Sequence, residues 1–206
     1  GEVEFVKLQF NKDENIKKIF TKILYEKPQI IGFSCYLWNL LDTLVVAKTP
    51  KKTLPDIKII LGGPEVSFLA EGILLENKFI DIIVRGEGEI TFSEVLLYFL
   101  TGKPQTEDIR GISFRKNDRI YSTKERELIE NLDNIPSPLL YLPDRLDEIA
   151  MQFSRGCIYS CNYCTWPSYK KLRSFSIERI AEDFKLAFSK NPKRITIYDS
   201  AFNVPH

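Results

Sequence analysis

The chain has 206 residues, of which 44% are hydrophobic and 28% charged, with a formal net charge of +1. That is enough chain for one full domain and part of another, with the composition of an ordinary globular protein. A near-zero net charge carries no signature of a nucleic-acid or anionic-membrane partner, and no apolar run is long enough to span a bilayer.

From the amino end, the acidic start Gly1-Glu2-Val3-Glu4 is unlike a signal peptide. Residues 3–10 alternate and predict a strand. Asn11 followed by Glu14 has the spacing of a capping box. Ile16, Ile19, Phe20, Ile23 and Leu24 then recur at helical spacing, and Pro28 closes that helix. Residues 30–35 form a near-continuous apolar strand, as expected where both faces are covered. A helix follows through Trp38, Leu41 and Val45. Residues 57–61 are the next strand, followed by Gly62-Gly63-Pro64-Glu65 and a helix over 68–76. Residues 80–84 are another strand, followed by Gly86-Glu87-Gly88-Glu89 and a helix over 92–100. This alternation predicts an α/β fold, an open and mostly parallel Rossmann-like sheet with helices on both sides. Loops of small residues around Ser34, Gly62-Gly63 and Gly86 to Gly88 then lie at the carboxyl ends of the strands, where such sheets bind ligands. Taken singly, each loop reads more readily as an ordinary turn than as a site.

Residues 111–115 and 119–121 around Lys116-Asn117-Asp118 read as a β-hairpin that extends or covers the sheet. Pro136, Pro138 and Pro143 mark a linker. Residues 148–153 form a short strand. Ser176 caps a helix bearing Ile177, Ile180, Ala181, Phe184, Ala187 and Phe188, which Pro192 ends, and residues 194–199 form a second strand. This is a β-loop-α-β unit, the repeat of a (β/α) barrel. The predicted organisation is therefore a domain over 1–130, a linker over 131–147 and the first part of a barrel over 148–206.

Between strand and helix stands Cys157-Ile158-Tyr159-Ser160-Cys161-Asn162-Tyr163-Cys164, a C-x3-C-x2-C loop holding three of the four cysteines. Thiolates this close suit an iron–sulfur cluster or zinc, and three of them leave one metal position without a protein ligand. Structural zinc takes four protein ligands, whereas Cys35 is remote in sequence and the single histidine is His206. Three cysteines cannot all pair as disulfides, and the usage fits a reducing, cytoplasmic setting. Cys35 reads as a small buried residue. Lys170-Lys171-Leu172-Arg173, after the loop, reads either as a solvated cluster or as a contact to an anion near the site.

The cysteine loop, with Tyr163 just before its third cysteine, resembles that of the radical S-adenosylmethionine enzymes. The resemblance implies that Cys157, Cys161 and Cys164 hold a 4Fe–4S cluster, with the fourth iron chelated by S-adenosyl-L-methionine. It further implies reductive cleavage to a 5′-deoxyadenosyl radical, Tyr163 near the adenosyl group, and Asp199 in contact with S-adenosyl-L-methionine. Gly32-Phe33-Ser34-Cys35-Tyr36-Leu37-Trp38-Asn39, Leu61-Gly62-Gly63-Pro64-Glu65 and Gly86-Glu87-Gly88-Glu89 resemble the cobalamin-binding-type domain that precedes the barrel in one branch of these enzymes. In such domains the serine motif and the Gly-Gly embrace the nucleotide tail, the places that Ser34, Gly62 and Gly63 match, with Gly86 and Gly88 on the adjoining loop. Tyr36 stands where that family often has Leu, and its Asp-x-His-x-x-Gly motif has no counterpart here.

The resemblance implies an oxidoreductase or methyltransferase, commonly one in which cobalamin carries a methyl group to a small-molecule or peptide substrate, with ring closure and other rearrangements also found in that branch. Its electron donor would be of the ferredoxin or flavodoxin type, with neither nucleic acid nor membrane as a partner. Two other readings are a radical enzyme whose first domain binds no cobalamin, and a non-enzymatic metal-binding module. The chain is expected to be a piece of a larger enzyme, catalytically incompetent by itself and with an unpaired edge at its last strand.

Overall fold

The computed structural model describes residues 3–10, 14–159, 161–164 and 171–202. They fall into two compact units, Gly1–Glu127 and Leu128–His206. The first unit is a five-stranded sheet in the order β1-β2-β3-β4-β5: Ile30–Ser34, Lys58–Gly62, Ile82–Val84, Ile112–Lys116 and Arg119–Ser122. The first three strands are parallel, in the register Ile31↔Ile59 and Leu61↔Ile83, and the last two run antiparallel. The predicted hairpin therefore extends the sheet. Its turn is Asn117-Asp118, both at positive φ (50° and 60°), the backbone that matches a two-residue hairpin to strand twist.

Side-chain alternation along β2 sends Ile59 and Leu61 to one face and Ile60 to the other. On the first face they join Ile83, Val66, Leu74 and Ala47, the last on α2 (Leu40–Thr53). Val66 lies on α3 (Pro64–Ser67) and Leu74 on α4 (Ala70–Glu76). On the other face Ile60, Ile82, Val84, Ile112 and Phe114 pack with Val95 of α5 (Gly88–Thr101). Helices thus cover both sides, which is why the strands read as continuous apolar runs.

Several predicted features are corrected. Residues 3–10 are not a strand: Val3, Phe5 and Val6 are exposed and the segment joins no sheet. Alternation supplies a pattern, but a strand also needs a ladder partner. The first helix, α1 (Ile16–Glu26), is capped by Asn15, whose Oδ1 accepts from Lys17 N–H at 2.9 Å. The proposed capping residue Asn11 lies outside the described residues. The helix predicted over 68–76 begins at Ala70, and an unpredicted short helix, α3, precedes it with Phe68 and Leu69 between the two. On α2 the apolar stripe chosen from sequence faces outward: Trp38, before the helix, is 65% exposed and Leu41 78% exposed. Thr43, Val46, Ala47 and Pro50 take the core.

In the second unit β6 (Glu148–Met151) pairs in parallel with β9 (Arg194–Ile197), Met151 opposite Ile197. The crossover helix α6 (Ile177–Ser189) is capped by Ser176, whose Oγ accepts from Arg179 N–H at 3.1 Å. Its inner face is Ile180, Asp183, Phe184 and Ala187, not the predicted Ile177, Ala181 and Phe188, which are exposed. Leu139, Ile149, Met151 and Ala187 form this unit's core. An unpredicted pair of short strands, β7 (Ser154–Arg155) and β8 (Arg173–Ser174), runs antiparallel across the two ends of the cysteine loop.

Candidate functional site

The three loops predicted at the sheet edge of the first unit do meet. After β1, Cys35 N–H donates to the Gly62 carbonyl at 2.7 Å, and Glu65 N–H donates back to the Cys35 carbonyl at 3.4 Å. Gly63 has φ +109°, and a Cβ there would lie 2.4 Å from the Cys35 carbonyl oxygen. Only glycine permits that approach. Gly62 carries no such demand, since its nearest would-be contact, Val84, is 3.8 Å away. Ser67 joins the second loop to the third: its hydroxyl donates to the Gly63 carbonyl at 2.8 Å and accepts from Gly86 N–H at 3.3 Å. Gly86 is itself at φ +75°, and Gly88 opens α5.

Ser34 ends β1 in an exposed position. Its carbonyl accepts from Asn39 Nδ2 at 2.9 Å, while Asn39 Oδ1 accepts from Tyr36 N–H at 2.7 Å. Tyr36 and Trp38 stack at 4.8 Å with 5° between their planes. Leu37, Trp38, Phe68 and Leu69 leave an exposed apolar rim on the loops beyond β1 and β2. Asn39 and Ser67, which brace these loops, were not singled out in the sequence. Asn before an apolar run was the available signal for the first, and nothing in the sequence marked the second. Cys35 is buried, as a small core residue, and burial pushes its thiol up to about 12. At the amino ends of β2 and β3 a groove of about 460 Å³ is lined by Lys48, Lys51, Lys52, Lys78 and Phe79. Lys51 there is held by Asp81 at 2.7 Å, and Lys51 and Lys52 stand in the last turn of α2, where cations offset the helix dipole.

In the second unit, Cys157 is buried, Cys161 and Cys164 are exposed, and all are free thiols. Cys164 N–H donates to the Cys161 carbonyl at 3.1 Å, and Tyr163, 89% exposed, lies in that turn. Among the described residues no three His, Cys, Asp or Glu side chains gather as a ligand set. The donor chemistry, three thiols on one short loop, fits a soft metal or cluster. A ligand loop commonly closes only as its metal binds, because binding supplies the folding energy. Of the basic run after the loop, Lys171 pairs with Glu130 and Arg173 is buried, its Nη1 donating to the Ile129 carbonyl at 2.7 Å; Lys170 lies outside the described residues. The exposed Lys171 fits the solvated reading of that cluster, whereas the burial of Arg173 fits neither reading. Asp199, read as a contact to S-adenosyl-L-methionine, turns one carboxylate oxygen to the backbone, accepting from Phe153 N–H at 2.8 Å and Ser154 N–H at 3.1 Å.

Residues 2–96 match the family model of the B12 binding domain. The chain is 28% identical over 193 residues to the cobalamin-dependent radical SAM methyltransferase TokK of Streptomyces tokunonensis, covering 86% of this chain and 28% of that protein. Residues 2–96 thus carry the B12 binding domain pattern, and the chain is similar along most of its length to a cobalamin-dependent radical SAM methyltransferase. An uncharacterized methyltransferase of Pyrococcus horikoshii, PH0819, is 32% identical over 200 residues, covering 92% of this chain and 43% of that one. Among solved structures, the cobalamin-dependent S-adenosylmethionine radical enzyme OxsB, with aqua-cobalamin and S-adenosylmethionine bound, superposes with a TM-score of 0.75 at 21% identity. That match covers 91% of this chain and 28% of OxsB, and it shows the shared fold. The chain spans less than half the length of these relatives. No helix among the described residues is long and apolar enough to cross a membrane.

Proposed function

We propose that the chain is the cobalamin-domain and cluster-loop portion of a radical S-adenosylmethionine methyltransferase. The observation that carries this reading is the joining of two features in one chain. One is a parallel sheet whose carboxyl-edge loops are drawn together around Gly63; the other is a three-thiol loop set between the strands of a βαβ unit. The naming of the two relatives above as methyltransferases favours methyl transfer as the reaction class.

In this reading Ser34, Gly62 and Gly63 receive the nucleotide tail of cobalamin. The Ser34 side chain is open to solvent, and the Gly62-Gly63 backbone can be approached closely. Gly86 and Gly88 line the neighbouring loop, and the apolar rim of Leu37, Trp38, Phe68 and Leu69 suits the cover of a large organic ligand. Cys157, Cys161 and Cys164 would hold a 4Fe–4S cluster and leave one iron for S-adenosyl-L-methionine, with Tyr163 assigned to the adenosyl group. When bound, the cluster supplies the electron that opens the sulfonium. The chain's own contribution is to anchor the loop: β7 and β8 join its two ends, and the buried Cys157 keeps its first thiol out of water. The methyl acceptor is a small molecule or peptide, and the electron donor is of ferredoxin or flavodoxin type.

The test is anaerobic reconstitution with iron and sulfide, followed by metal analysis and electron paramagnetic resonance with and without S-adenosyl-L-methionine. A reduced 4Fe–4S signal that shifts on adding S-adenosyl-L-methionine is expected. Zinc in place of a cluster, with no response to S-adenosyl-L-methionine, would overturn the reading. Equilibrium binding of hydroxocobalamin, lost in Gly63→Ala, tests the first unit.

A further inference from the structure

Asp199 occupies a place that the proposed chemistry does not use. Beyond the register pair Met151↔Ile197, the β6–β9 ladder makes one more bond, Tyr198 N–H to the Met151 carbonyl at 2.8 Å. There the chain leaves β6 for the cysteine loop, and two consecutive N–H groups, those of Phe153 and Ser154, lose their place in that ladder. One oxygen of Asp199 takes both, at 2.8 and 3.1 Å. Two successive backbone donors thus meet on one acceptor, and that acceptor is the chain's own carboxylate. The Phe153 carbonyl meanwhile accepts from Phe175 N–H at 3.0 Å, just beyond β8. Only Arg155 and Gly156, the latter at φ +88°, separate Ser154 from the buried Cys157.

The exit of the loop is held as firmly. Arg173 of β8 reaches the Ile129 carbonyl, and Ser176 N–H donates to Asp133 Oδ1 at 3.0 Å. That Ser176 N–H is the main reason the Asp133 carboxyl lies below its ordinary range.

We infer that Asp199 is a positioning residue for the cysteine loop. Its carboxylate at the end of β9 fixes the direction in which the chain leaves β6, and thereby the place of Cys157. The inference rests on the cluster reading for its consequence and on the hydrogen bonds for its geometry, so the two are tested separately.

The experiment compares wild type, Asp199→Ala and Asp199→Asn. Amide exchange of the metal-free protein reads the clamp. In Asp199→Ala the Phe153 and Ser154 amides exchange about tenfold faster or more, while Asp199→Asn, which keeps the carbonyl acceptor, stays near wild type. After anaerobic reconstitution, the chelator concentration that strips half the iron falls about tenfold in Asp199→Ala and is restored in Asp199→Asn. Unchanged exchange at Phe153 and Ser154 in Asp199→Ala overturns the inference. So does loss of iron in Asp199→Asn equal to that in Asp199→Ala, which would assign the role to the charge. If alanine also releases the amides of α6, the asparagine variant decides: retained protection at Phe153 and Ser154 supports the clamp, and lost protection overturns it. If wild type takes up no cluster, the cluster reading fails alone, and the exchange arm still decides the clamp.

Discussion

Gly63→Ala is the sharpest perturbation available in the first unit. Two costs add at that position. The backbone sits at φ +109°, a region that L side chains rarely adopt, at a cost of about 1–3 kcal/mol. The new methyl would also stand 2.4 Å from the Cys35 carbonyl oxygen and 2.9 Å from its nitrogen. Both are backbone atoms tied into the loop by the Cys35–Gly62 and Glu65–Cys35 hydrogen bonds, so they cannot swing aside as a side-chain tip would. Overpacking of this kind costs about 1–3 kcal/mol more. The expected loss is roughly 3–5 kcal/mol, the sum of those two ranges taken at their middle.

Two other glycines isolate the contributions. Gly102 has φ +76° but open space around a would-be Cβ, so Gly102→Ala carries only the backbone cost of about 1 kcal/mol or somewhat more. Gly62 has neither burden, and Gly62→Ala is expected to stay within about 0.5 kcal/mol of wild type. Urea unfolding followed by amide exchange in β2 reports on the first unit apart from the second. At a urea dependence of about 2 kcal/mol per molar, Gly63→Ala moves the midpoint down by roughly 2 M. A midpoint for Gly63→Ala no lower than that for Gly62→Ala would refute the argument that backbone contact sets the spacing of these loops.

Other expectations follow from the same structure. Ser176→Ala removes the cap of α6 and lowers the stability of the second unit by about 1 kcal/mol, whereas Ser176→Asp keeps most of it, as thermal unfolding would show. Cys35 is buried with its thiol at about 12, so brief iodoacetamide treatment at pH 8 of the metal-free, folded protein should label Cys161 and Cys164 and spare Cys35 by mass spectrometry. Early labelling of Cys35 would show the β1 loop to be open. The hydrogen bond from Lys116 holds the exposed Glu107 carboxyl at about 2, down from 4.5. A depressed carboxylate stabilises the fold above its unfolded value, and that contribution is lost as pH falls from about 4.5 towards 2. Carboxyl-carbon NMR titration should place Glu107 low in wild type and return it towards the ordinary range in Lys116→Met; an unmoved titration would show that the pair does not persist in solution.

Much of the fold was legible because it rests on short-range patterns. Residues 30–35 read as a strand covered on both sides, although β1 is only partly buried and it is β2 whose Ile59, Ile60 and Leu61 are buried on both faces; Lys116-Asn117-Asp118 read as a hairpin turn, because left-handed turn residues leave local traces. Three thiols at C-x3-C-x2-C marked a soft-ligand loop for a similar reason: donor type and spacing are written in adjacent residues.

What only the tertiary structure decided was which partner each pattern meets. Residues 3–10 alternate like a strand yet join no ladder, since pairing is a long-range event that alternation does not specify. Trp38 and Leu41 read as core, but the sheet meets α2 along Thr43, Val46 and Ala47, a choice made by the helix's rotation about its axis. Gly62 and Gly63 are indistinguishable in sequence. Only the approach of Cys35 from β1 makes Gly63 irreplaceable and leaves Gly62 free. Asp199 was read as a ligand contact from its resemblance to a family segment. The structure adds hydrogen bonds from one of its oxygens to Phe153 and Ser154, residues far away in the chain that the parallel pairing of β6 and β9 brings within reach of its side chain.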